Sequence, residues 1–80
     1  MSWLDKTQLD VAGAVGDDAA AYELSERDIE ELLELARVAA HESGERTNAP
    51  LTAYLVGLAR GRHPEQSLSD LVEAVVGKPE

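Results

Sequence analysis

Hydrophobic residues recur along this chain at spacings of three and four, the period of an α-helix, with no strand-like alternation. Four segments carry that period. In the first, Ser2 and Asp5 have the spacing of a helix N-cap, and Trp3, Leu4, Thr7, Val11, Ala14 and Val15 fall on one face. Gly16 is placed to end this helix in a left-handed conformation. Leu9 points the other way, either exposed or against another chain. Residues 17–24 form a connection in which Ala19-Ala20-Ala21-Tyr22 can take one helical turn if Tyr22 folds back onto the core.

The second segment has the most fully specified start. Ser25 and Asp28 repeat the cap spacing, and Leu24 and Ile29 stand at the two positions of a hydrophobic staple. Ile29, Leu32, Leu33, Leu35, Ala36, Ala39 and Ala40 form its apolar face, with Val38 outside it, and Gly44 terminates it. The short polar run Gly44-Glu45-Arg46-Thr47 predicts an αα-hairpin with the third segment.

No charged residue occurs from Ala49 to Ala59, and a helix that is apolar all round is normally enclosed by others. The third helix is therefore expected at the centre. Asn48 is its expected N-cap, and Pro50 falls in the first turn, where its missing N–H breaks no bond. Leu51, Tyr54, Leu55 and Leu58 share one face; Ala49, Ala53, Gly57 and Gly61 line another. A glycine inside a helix costs roughly 1 kcal/mol relative to alanine, so Gly57 predicts a close neighbour. In the last segment Ser67 and Asp70 give a third cap, Leu68, Leu71, Val72, Val75 and Val76 are amphipathic, and Gly77 and Pro79 close it. The pattern predicts a single all-α domain over 1–80, a compact bundle of four helices at 3–15, 26–43, 49–62 and 68–76.

At 80 residues the core is thin, and without cysteine it has neither disulfides nor thiolate chemistry. Weak self-association as a homodimer is a way to complete burial. The net charge of -9 is unevenly placed: residues 1–45 hold 12 Asp/Glu against 3 Lys/Arg, and residues 46–80 hold 4 against 4. Such an acidic chain does not suit nucleic acid, which needs a basic face. Eleven uncharged residues are too few to span a membrane, which takes about 20. The first residues lack the basic and apolar regions of a signal peptide, and a cytoplasmic location is expected.

Candidate chemistry is sparse. His41-Glu42 opens like the zinc motif His-Glu-x-x-His, but Glu45 stands at the second histidine, so no metal site and no cofactor is expected. No glycine-flanked serine suggests a nucleophile, which argues against an enzyme. His41, Arg46, Thr52 and Tyr54 gather polar groups around the turn between the second and third helices and form the candidate binding site. Their structural reading places His41 at the negative end of the second helix and Arg46 on a turn carbonyl or carboxylate. Thr52 would bond its own helix backbone, and Tyr54 would sit in the core with a bonded hydroxyl.

Several runs resemble a known family: Leu35-Ala36-Arg37-Val38-Ala39-Ala40-His41, then Arg46, Ala49-Pro50-Leu51-Thr52, and Tyr54-Leu55-Val56-Gly57-Leu58-Ala59-Arg60-Gly61, with a weaker echo at Trp3. They are similar to short actinobacterial domains of unknown function, some of them associated with or fused to molybdenum-cofactor guanylyltransferase. Thr47 stands where that family has proline. The resemblance implies an accessory role near molybdopterin cofactor assembly and supplies no catalytic residue. The expected function is a non-catalytic, acidic helical interaction module that binds a protein partner; the alternative is a small enzyme or ligand-binding protein using His41 and Arg46.

Overall fold

A computed structural model describes residues 2–77, so the expected stop at Pro79 lies outside the described residues. The chain forms four α-helices, α1 (Trp3–Val15), α2 (Glu26–Ser43), α3 (Asn48–Arg62) and α4 (Leu68–Val76), with a 3₁₀ turn, Ala19–Tyr22, between the first two. No strand occurs among the described residues.

The helix starts follow from the repeated Ser-x-x-Asp pattern. The hydroxyls of Ser2, Ser25 and Ser67 accept the backbone N–H of Asp5, Asp28 and Asp70 at 3.1, 3.0 and 3.0 Å. At the first two, the Asp carboxylate returns the bond to the serine N–H, which satisfies two of the free donors of a helix end. Gly44 ends α2 at φ 73°, a conformation in which a side chain would clash with the backbone. The start of α3 differs from expectation. Asn48 is already inside the helix, Thr47 precedes it with no side-chain cap, and the N–H groups of Asn48 and Ala49 instead donate to the carbonyls of Glu45 and Arg46, both at 3.1 Å. Backbone turn bonds and a proline at the third position leave little for a capping side chain to do.

The hydrophobic core is built by α2, α3 and α4. Leu35 is wholly enclosed; Val56 and Val72 are buried beside it, with Leu32, Leu68, Leu71 and Val76 packed around them. Val38 is half-buried rather than outside, and Leu33 faces solvent. One polar bond ties α4 to α2: the Ser69 hydroxyl donates to Glu31 Oε1 at 2.5 Å. The same carboxylate oxygen accepts from Arg27 Nε at 3.1 Å.

Two expectations about packing are corrected. The third helix is enclosed on one side only: Val56 is buried, whereas Leu51, Tyr54, Leu55 and Leu58, on nearly the opposite face, are 61, 67, 63 and 47% exposed. Only α2 and α4 pack against it. The helix that would have covered it, α1, lies against the 3₁₀ turn and touches none of the other three helices. Its buried residue is Ala12, while Trp3, Leu4, Val11, Ala14 and Val15 are exposed. Leu9 is exposed too, as both of its expected placements require of a single chain.

Gly57 likewise has no close neighbour, since a Cβ placed there meets nothing within 4 Å. Gly57→Ala should therefore raise the urea midpoint, by an amount worth about 0.5–1 kcal/mol, because alanine loses less backbone entropy in a helix. A lower midpoint would mean that the stripe is occupied.

Candidate interaction surface

The four polar residues singled out by the sequence do not converge into a hydrogen-bonded site. His41 is exposed in the last turn of α2, and Arg46 is exposed on the turn that follows. Thr52 is half-buried on the core side of α3, and Tyr54, two residues on and so about 200° around the helix, faces solvent. Among the described residues none of these four side chains makes a hydrogen bond or ion pair with another protein group. That removes the expected Thr52 bond to its own helix, the Arg46 bond to the turn and the enclosed Tyr54 hydroxyl. A helix exposed along its apolar side carries Tyr54 outward, which the uncharged sequence alone did not specify.

What the surface does offer is two apolar faces. On α3, Leu51, Tyr54, Leu55 and Leu58 recur at the spacing of one helical stripe, with the uncrowded Gly57 and Gly61 along its edge. On α1, Leu4, Val11 and Val15 form a second stripe. Leu4 and Val11 of that stripe, with Asp5, Thr7, Gln8, Tyr22 and Leu24, line a cleft of about 190 Å³. Largely apolar and open, it has room for one large side chain.

Local chemistry sets the direction of α1. At its end, Gly16 adopts φ 75° and the Asp17 N–H donates to the Ala12 carbonyl at 2.9 Å, the bonding of a Schellman turn. Asp18 then caps the 3₁₀ turn by accepting the Ala20 N–H at 3.0 Å, and Gln8 Nε2 reaches from α1 to the Ala19 carbonyl at 2.8 Å. The Tyr22 hydroxyl donates to Asp17 Oδ2 at 2.6 Å. Tyr22 thus folds back onto the α1 side of the chain rather than onto the main core.

That last bond has a pH signature. Donating to the Asp17 carboxylate, with smaller contributions from burial and from the carboxylate charge, holds the Tyr22 phenol above its ordinary 10.0. A raised value means that the folded chain keeps the proton longer than the unfolded one. The contribution to stability is complete below about pH 10 and is lost as pH rises through the folded value. In a Tyr54→Phe background, the phenolate absorbance should appear at higher pH than in the same protein carrying Asp17→Asn; identical titrations would show that the bond does not form in solution. On α2, Glu34 is lowered and Arg37 raised, each chiefly by their mutual hydrogen bonds. Both are solvent-exposed, and such pairs contribute little to stability.

In comparison with known families, residues 3–78 fit a domain of unknown function, DUF6457. The chain belongs to this family. The match covers all four helices, so the α1 arm is part of the family domain. No curated protein and no solved structure matches the chain. No helix of the described residues is long and apolar enough to cross a membrane.

Proposed function

We propose that this domain is a non-catalytic, acidic accessory module of the cytoplasm that binds a protein partner through the exposed apolar faces of α3 and α1. The observation that carries this reading is the surface of α3: four large side chains in one stripe, at 47–67% exposure, on a domain whose buried residues are all apolar. Contiguous apolar surface of this kind is characteristic of interaction sites. By contrast, the described residues contain no buried polar or charged side chain of the sort that a catalytic or small-ligand pocket would position. The resemblance to domains associated with molybdenum-cofactor guanylyltransferase makes that enzyme the first heterologous partner to test.

The experiment is calorimetric titration of the domain into purified guanylyltransferase. Binding is expected for the native chain and should be lost in Leu55→Glu, with the helical circular dichroism unchanged. A Leu55→Glu protein that binds as well as the native one would sink the assignment of this surface.

A further inference from the structure

The accessible surface of the chain is 6223 Å², whereas a folded monomer of 8.6 kDa is expected to expose about 4,700 Å². The excess is about 1,500 Å². At the average for an unfolded chain, the four terminal residues outside the described stretch account for about 700 Å² of it. What remains, about 800 Å², is the share that each partner contributes to a standard protein interface. The radius of gyration points the same way, at 13.5 Å against roughly 11.6 Å for a compact chain of this length.

From this we infer that a second copy of the chain covers the missing area, with α3 of each copy docked against the α1 face of the other. The inference rests on the reading of α1 and α3 as interaction faces and names their occupant when the chain is alone. A two-fold dimer needs a surface that is complementary to itself, so that if one residue touches a second, the second touches the first in return. The two faces meet that condition as a pair. The stripe on α3 is convex and carries Tyr54 and Leu55, 67 and 63% exposed, as its most exposed side chains; α1 offers a cleft with room for one such side chain, bordered by Leu4, Asp5, Val11, Tyr22 and Leu24. Contact between the two α3 helices alone would leave Trp3, Leu4, Val11 and Val15 in water. Reciprocal exchange buries both stripes on both copies.

The test combines sedimentation with disulfide trapping, which is clean because the chain has no cysteine. The native protein should sediment as a reversible dimer at high micromolar concentration, and Leu55→Glu and Val11→Glu should each be monomeric with unchanged circular dichroism. If Leu55→Glu fails to fold, Tyr54→Ser replaces it. On mild oxidation, the double variant Val11→Cys/Leu55→Cys should form a covalent dimer, while neither single-cysteine variant does. A native monomer at all concentrations overturns the inference, as does a Val11→Glu protein that dimerises normally. Covalent dimers from a single-cysteine variant, or none from the double variant, would also overturn it. Loss of guanylyltransferase binding in Leu55→Glu, alongside a native monomer, would leave the interaction reading standing without the dimer.

Discussion

Leu35→Ala should leave the domain largely unfolded at room temperature, or close to it. Among the described residues Leu35 is the one large side chain with no exposed surface, and it stands where α2 meets Val56 of α3 and Val72 of α4. Truncating a buried leucine costs about 2–5 kcal/mol, the lost transfer energy plus that of the cavity left behind. A domain of this size has roughly 4–12 kcal/mol in total, and a thin core belongs at the lower end of that range. Other contacts can compensate little, because only three buried side chains make up the cluster. Urea unfolding followed by circular dichroism checks it. A midpoint near that of the native chain would show that α2, α3 and α4 do not close on this residue.

Removal of α1 should have the opposite character: a large loss of helical signal and almost no loss of core stability. A chain lacking residues 1–16 forfeits the 13 residues of Trp3–Val15, yet keeps every member of the buried cluster around Leu35. Since α1 packs only against the 3₁₀ turn, its deletion breaks no contact among the other helices. A helix this short is marginal on its own, so its amides should also exchange with solvent far faster than those of α2 in the full-length chain. Both measurements belong at concentrations where the protein is monomeric. A truncated chain that melts much earlier than the native one would place α1 in the core.

The sequence shows the helices and their ends more readily than their partners. Ser2, Ser25 and Ser67 each stand three residues before an aspartate, and Gly16 and Gly44 follow the last turn of their helices; these are contacts between near neighbours, legible in a short window. The side of α3 that would be covered is a different kind of question. A helix apolar all round meets the same burial requirement whether its neighbour is its own α1 or another chain, and periodicity does not choose between them. The orientation of α1 depends on the Gln8 bond to Ala19 and the Tyr22 bond to Asp17, which have no periodic signature. The candidate site follows from residue types gathered near one turn, and in the sequence the exposed α3 stripe is legible only as hydrophobicity, which points to core.

The bonded turn after α1 also bears on which contact the molecule makes. On a slack tether, α1 would be present to its own α3 at a millimolar effective concentration, and closure within one chain would outcompete any encounter between two. Here the tether is stiffened by the Schellman turn, the Asp18 cap and the side chains of Gln8 and Tyr22. Holding α1 away from its own α3 forgoes that advantage of linkage. In the dimer proposed above, the 3₁₀ turn would act as a spacer that sets the valency of the domain, leaving each chain with one donor face and one acceptor face instead of a closed, self-satisfied bundle.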